Sequence, residues 1–173
     1  MMKFSVRKIF IVFGVFVVVL GILRGAQWVY LHSVVRSPLR QSISRIHGVS
    51  RVSINPQGEI SVILTKDANL MGTYEAIETA TKSVMGHAPA NLAIHNHPNA
   101  SMNSMVNALR LIVAQGEATG QYVAMNKAIQ HLAGDHHMTA TVQLSNHHIF
   151  VSLQSKSHWL DEVMPLKLGG AGS

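Results

Sequence analysis

The chain has 173 residues, which suffices for one ordinary domain or two very small ones and excludes a large multidomain enzyme. Apolar residues make up 47% and charged residues 13%, with a mean hydropathy of +0.21, so disorder driven by charge repulsion is excluded and a membrane segment is expected. The absence of cysteine excludes disulfides, thiolate metal sites, thiol catalysis and a lipidated N-terminal cysteine.

The net charge of +6 is distributed unevenly along the chain. Residues 1–51 contain eight basic residues and no acidic one, whereas residues 52–173 contain six basic and eight acidic residues, a difference of −2. Basic residues beside an apolar segment are typical of contact with anionic lipid headgroups. Because the remainder is nearly neutral and has no basic stretch interleaved with aromatic residues, we expect no nucleic-acid partner.

The first predicted element is a membrane anchor. The run Ile9–Leu23 has no polar side chain. As a helix it covers about 22 Å, short of the roughly 30 Å of a bilayer core, so we extend it to Leu31, which places Trp28 and Tyr30 in the interfacial aromatic belt. The sequence therefore predicts a cytoplasmic tail at residues 1–8, a transmembrane helix at residues 9–31 and a juxtamembrane linker at residues 32–38.

The orientation of this anchor follows from its flanking charges. Lys3, Arg7 and Lys8 precede the apolar run, which favours a cytoplasmic N-terminus and an extracytoplasmic C-terminal domain. The alternative is a cleaved signal peptide, which would release a secreted domain. We favour a retained signal anchor, because a charged residue, Arg24, stands where a cleavage site needs a small one.

Residues 39–115 form the first predicted α/β module. Apolar residues at helical or alternating spacing, together with Pro and Gly punctuation, predict its elements. These are a helix at Leu39–Ile46, a hairpin of Arg51–Asn55 and Glu59–Thr65 around the turn Pro56–Gly58, a helix from Leu70 to a stop at Gly86, a strand at Leu92–His95, and a helix through Met105–Val113.

Residues 116–166 form a second predicted module with the same order, followed by a flexible tail at residues 167–173. Its elements are a helix at Tyr122–Leu132, a hairpin of Thr139–Leu144 and His148–Leu153, and a last helical turn at Trp159–Met164. The apolar positions of the two hairpins match, as in Val52 with Val142, although any two amphipathic hairpins can align this well. We therefore predict an α+β, two-layer domain built from two αββα-type units.

Residues 39–115 resemble a known family. Gly48-Val49 before the hairpin, and Ala90–Pro98 (ANLAIHNHP) with His97-Pro98 before the last helix, are similar to the module of YhcN/YlaJ-type sporulation lipoproteins. The same order of elements resembles the ring-building domains of sporulation channels and secretion rings. The resemblance implies a non-enzymatic role in the envelope of a spore-forming bacterium, with side-by-side association. The chain departs from those lipoproteins in lacking the lipidated cysteine.

The sharpest chemical motif is His95-x-His97, whose imidazoles lie on one side of an extended segment, about 6–7 Å apart. The segment resembles the metal-binding stretch of JAMM-type zinc hydrolases, which would make Glu59 the base, His95 and His97 metal ligands and Ser104 the serine. That family has an aspartate where this chain has Asn107, and a neutral amide is a poor third zinc ligand. We therefore predict no metal site, with His95 and His97 as the candidates if one exists.

Two further histidine pairs are His136-His137 and His147-His148. The predicted strand Thr139–Leu144 separates them by about 20 Å, so they cannot share one ion. An alternative role for either pair is a surface that gains charge between about pH 5 and pH 7.

Together these patterns predict a single-pass, membrane-anchored envelope protein that catalyses nothing, binds no cofactor and acts by protein–protein or self-association. Its expected partners are the lipid bilayer and other envelope proteins or its own copies. The alternative is a membrane-tethered, JAMM-like zinc hydrolase that uses Glu59, His95 and His97.

Overall fold

A computed structural model describes residues 6–30, 36–55 and 57–166, and in the first helix it describes the side chains of residues 13–25. The chain is α+β, and its described strands form two three-stranded sheets, β1-β2-β3 and β4-β5-β6. In chain order the elements are α1 (Val6–Tyr30), α2 (Ser37–Ser44), β1 (Val49–Ile54), β2 (Ile60–Leu64), α3 (Leu70–Met85), β3 (Leu92–His95), α4 (Ala100–Thr119), α5 (Tyr122–Asp135), β4 (Thr139–Leu144), β5 (His148–Ser155) and β6 (His158–Pro165).

Helix α1 exposes large apolar side chains between Phe13 and Leu23. No helix in the described part of the chain combines the length and apolar character needed to cross a membrane. This finding overturns the transmembrane helix predicted at residues 9–31.

Three predicted segments next to this helix or at the C-terminus lie partly or wholly outside the described residues. The first five residues of the predicted tail and most of the predicted linker are outside them, while Ser37 and Pro38 begin α2. The predicted flexible tail, residues 167–173, is entirely outside them.

The first sheet is built on the predicted hairpin. β1 and β2 are antiparallel, with Val52 opposite Val62 and Ile54 opposite Ile60, and β3 joins β2 in parallel after the crossover helix α3. The hairpin loop closes as predicted, because Gly58 takes a left-handed φ of +85° and its N–H donates to the Asn55 carbonyl at 3.1 Å. Pro56 lies outside the described residues.

One face of the first sheet is covered by α2 and α3, and alternation decides which side chains point there. The buried members of this first core are Leu39, Ile43, Val52, Ile60, Val62, Leu64, Leu70, Ile77 and Phe150. Helix α3 begins at Leu70 because the Asn69 side chain accepts a hydrogen bond from the Gly72 N–H at 2.9 Å. It ends at Gly86, whose φ is +78°.

The second sheet differs from its prediction. The segment expected to form a helical turn at Trp159–Met164 is instead strand β6, which pairs with β5 through Leu153 opposite Leu160. The apolar pattern of this segment is too short to specify a helix. Its secondary structure is therefore determined by pairing with the open edge of β5. The prediction of two αββα-type units is therefore wrong, because the second unit runs α4-α5-β4-β5-β6.

Helices α4 and α5 cover one face of the second sheet. Met102, Leu109, Ile129, Ile149 and Leu153 are among the members of this second core. The two helices approach closely at Gly116, where a Cβ atom would lie 2.7 Å from the Met125 Cβ. The module boundary expected between residues 115 and 116 falls inside α4.

Strand β5 is buried on both faces. Ile149, Val151 and Leu153 point into the second core, whereas Phe150 points the other way and belongs to the first. The Phe150 ring meets the Tyr74 ring of α3 edge-on, with ring centroids 5.4 Å apart. The second sheet therefore lies between α3 on one side and the α4–α5 pair on the other.

Candidate functional site

The predicted histidine pair stands where the two sheets meet. His95 ends β3 and is exposed on the outer face of the first sheet. His97 pairs with Trp159 of β6 through two main-chain hydrogen bonds of 3.1 and 3.2 Å. Its ring stacks on the His158 ring, with centroids 5.1 Å apart. No local pattern predicts this pairing, because His97 and His158 are far apart along the chain.

The structure does not bring Glu59 to these histidines. Glu59 precedes Ile60, which pairs with Leu92, whereas His95 is level with Ile63 at the other end of β2. That offset is four residues, or about 13 Å along the strands. The Glu59 carboxylate instead accepts hydrogen bonds from the side chains of Asn55 at 2.6 Å and Asn91 at 3.2 Å.

The other residues of the hydrolase hypothesis are also placed apart from a shared centre. The Ser104 hydroxyl donates to the Ser101 carbonyl at 2.8 Å on the exposed face of α4, where Asn107 also lies. Within the described residues, no cluster of three or more His, Asp or Glu side chains could hold a metal ion. The geometry therefore assembles no hydrolytic site from Glu59, His95, His97 and Ser104.

The two remaining histidine pairs stand at opposite ends of β4, as predicted. His136 Nδ1 lies 3.1 Å from the Ser101 hydroxyl oxygen, and His137 takes a left-handed φ of +56° in the turn after α5. His147 is in the β4–β5 turn, and the His148 ring packs against Tyr74 with centroids 5.1 Å apart.

A polar clamp beside His97 joins the two sheets, and sequence reasoning missed it. The Asn96 side-chain amide donates to the Asp161 carbonyl at 3.0 Å and accepts from the Asp161 N–H at 2.8 Å. These are the two main-chain hydrogen bonds that a residue on a neighbouring strand would make. Asp161 is 8% exposed. Burial raises the pKa of its carboxyl, and a hydrogen bond from Ser152 partly opposes that rise. The Trp159 indole N–H is also buried here and has no hydrogen-bond partner among the described residues.

Among the residues that the structure describes, each sheet also has an outer strand with no neighbouring strand beyond it, β1 in the first and β4 in the second. Such edges present unpaired main-chain N–H and C=O groups that can bind another strand. β1 is interrupted by an irregular register between Val49 and Arg51, and Arg51 is exposed and charged. β4 has a regular register and contains no charged residue and no proline.

The alternation of hydrogen bonding along β4 identifies the residues whose main-chain N–H and C=O groups point away from β5. In the turn, the Ser145 N–H donates to the His148 carbonyl at 2.9 Å. Because antiparallel pairs alternate, Gln143 and Thr141 bond to β5, while the N–H and C=O of Val142 and Leu144 point away from the sheet.

A hydrogen bond from a side chain of α5 confirms which main-chain groups of β4 point outward. The Gln130 side-chain amide donates to the Ala140 carbonyl at 2.7 Å, which requires that carbonyl to point outward. Gln130 therefore covers the beginning of the edge and leaves the segment Val142–Leu144 open. Leu144 is 40% exposed and presents its side chain beside these groups. We call Val142–Leu144 the open edge.

A second apolar area lies on the outer surface of the α4–α5 helix pair. Leu111 is 72% exposed and Val123 is 74% exposed. A groove of about 170 Å³ between the same two helices is lined in part by Ala124, Met125 and Ala128. Isolated exposed apolar residues are common on protein surfaces, so this area serves below as a control for the open edge.

Comparison with known proteins adds no relative. No protein-family model matches the chain, and neither a curated protein nor a solved structure is similar to it.

Proposed function

We propose that this chain is a non-enzymatic protein that functions by associating with copies of itself. The open edge, Val142–Leu144, is the observation that carries the proposal. It combines unpaired main-chain donors and acceptors with an exposed leucine on a regular, uncharged strand. A second strand satisfies those groups and covers Leu144 in one step.

The contrast with β1 supports this assignment. The edge strands of natural sheets carry charged residues, prolines or bulges that prevent pairing with strands of other chains. β1 carries both a register irregularity and Arg51, whereas neither device occurs in β4. We infer that β4 is the edge that pairs with a strand of another copy, and that Arg51 and the register irregularity prevent such pairing at β1.

The setting of this association is part of the same proposal. The resemblance of residues 39–115 to sporulation modules supports the proposal that the assembly forms in the envelope of a spore-forming bacterium. The zinc-hydrolase alternative has no comparable support, because Glu59 and His95 stand at opposite ends of β2 and β3.

The test is the oligomeric state of the full chain, measured by analytical ultracentrifugation over a range of protein concentrations. A non-ionic detergent covers the apolar surface of α1, so that association through that helix does not contribute. We expect concentration-dependent association that Leu144→Lys abolishes, because a charge on the edge opposes strand addition.

Leu111→Lys is the matched control. It places the same charge on a side chain that is even more exposed but lies on α4, so association should persist. A wild-type chain that sediments as a monomer at every concentration would overturn the proposed function. Association lost equally in both variants would assign it to general apolar contact instead of the open edge.

A further inference from the structure

We infer that the partner on the open edge is the same edge of a second copy, in an antiparallel pair whose two-fold axis passes between the two Gln143 residues. This inference rests on the proposed function and specifies its geometry. The resulting assembly is a closed dimer with one continuous six-stranded sheet formed by two copies of β4-β5-β6.

The direction of the outward groups selects this register. Only residues whose N–H and C=O point away from β5 can form the new hydrogen bonds, and in the open edge these are Val142 and Leu144. Pairing Val142 of one copy with Leu144 of the other, and the reverse, uses all of these groups. Each of the two pairs exchanges both main-chain hydrogen bonds.

The Gln130 contact excludes the neighbouring register. A pair centred on Val142 would place Ala140 opposite Leu144 of the second copy and would require the Ala140 carbonyl, which Gln130 already occupies at 2.7 Å. The register centred on Gln143 leaves that hydrogen bond in place. It therefore gains new hydrogen bonds without breaking an existing one.

Side-chain chemistry favours the same arrangement. Val142 packs against the second core and Leu144 is exposed at the end of the strand, and the register places the valine of one copy beside the leucine of the other. The two Gln143 side chains lie on the opposite face, where Gln143 Oε1 accepts a hydrogen bond from the Met71 N–H of α3 at 3.5 Å. No charged residue of β4 opposes the pairing.

A two-fold pair also closes the assembly. If β4 paired instead with β1 of a second copy, each copy would retain one free edge, and rings or open filaments would result. Arg51 and the irregular register of β1 disfavour that contact. The structure therefore favours a dimer over a longer array.

Because the chain has no cysteine, single-cysteine variants test the register directly. In the inferred pair, residue 143 faces its own copy as a non-hydrogen-bonded pair with Cα atoms about 4.5 Å apart, a separation that a disulfide spans. Gln143→Cys in the full chain, incubated with a mild oxidant in non-ionic detergent, should give a covalent dimer on a non-reducing gel.

Thr141→Cys is the matched control on the same strand and face. The inferred register offsets the two copies of residue 141 by four residues, or about 13 Å, so this variant should remain monomeric on the gel. Adding Leu144→Lys to Gln143→Cys should remove the covalent dimer. Circular dichroism of each variant verifies that the fold is retained.

The outcomes separate the inference from the proposed function. Association in the ultracentrifuge without cross-linking of Gln143→Cys, equal cross-linking of Thr141→Cys, or assemblies larger than a dimer would overturn the inferred pair and leave self-association in place. A wild-type monomer would overturn both.

Discussion

The two sheets are of equal size but are buried differently. In the first, Val62 points into the core while Ser61 and Ile63 on the same strand lie on a half-exposed face. In the second, successive residues of β5 are buried on both faces, with Val151 in one core and Phe150 in the other. The difference shows that β5 is the central strand of the molecule, and that α3 stabilises both sheets at once.

The largest expected effect tests this central position. Phe150→Ala removes a ring that is 1% exposed. This ring belongs to a strand of the second sheet but packs in the first core. We expect the free energy of unfolding to fall by about 3–5 kcal/mol, as for other buried phenylalanines, in a urea titration followed by circular dichroism. Phe150→Leu should recover a large part of the loss. A change below about 1 kcal/mol for the alanine variant would show that the sheets are held together elsewhere.

The second prediction compares two helical glycines that cover the second sheet. At Gly116 an added methyl group would lie 2.7 Å from the Met125 Cβ, whereas at Gly134 no atom lies within 4 Å. Gly116→Ala should therefore destabilise the protein by about 1–3 kcal/mol through overpacking. Gly134→Ala should stabilise it by about 0.5–1 kcal/mol through helix propensity. Thermal unfolding gives both signs, and equal shifts would contradict the close approach of α4 and α5.

The third prediction weakens the clamp between the sheets. Asn96→Ala removes both hydrogen bonds to the main chain of Asp161 and leaves those buried groups unpaired. We expect a loss of about 1–3 kcal/mol in the free energy of unfolding. Asn103→Ala, at an exposed position on α4, should stay within about 0.5 kcal/mol of the wild type. Equal stability of the two variants would mean that the clamp does not couple the sheets.

The smallest expected effect concerns pH. Burial raises the pKa of Asp161 above its ordinary value of 3.8, so the folded chain binds this proton more readily than the unfolded chain. The contribution of this carboxyl is therefore most favourable at low pH. It is lost as the pH rises from the unfolded value through the raised folded value.

Asp161→Asn, which cannot ionise, should remove this dependence. Relative to the wild type, its free energy of unfolding should increase as the pH rises through that window and level off above it. Urea titrations at a series of pH values measure the difference, with the exposed Asp67→Asn as the control. A difference that does not vary with pH would show that Asp161 ionises without cost in the folded state.

Local chemistry made the first hairpin and α3 predictable. Alternating apolar residues and a Gly at the turn specify β1 and β2 within a few residues of their observed ends. Asn69 before the apolar stripe and Gly86 after it specify both ends of α3. Each of these signals acts within a few residues along the chain, so it can be read without tertiary structure.

The site was less predictable. The spacing of His95 and His97 predicts a candidate pair, but the partners of His97 are His158 and Trp159, which follow it in the chain by about sixty residues. Which main-chain groups of β4 point outward is shown only by the hydrogen bonds that Ser145 and Gln130 make. No local pattern encodes which edge of a strand is left without a neighbour.

The sequence by itself determined the α+β class of the folded part, most of its helices and the two hairpins, because propensity and periodicity act over short distances. Tertiary structure decided that Trp159–Met164 belongs to a strand, that β5 is buried on both faces and that β4 remains an edge. Those outcomes depend on which distant segments lie side by side, and hydrogen bonding between strands follows that arrangement in space and not the order of residues along the chain.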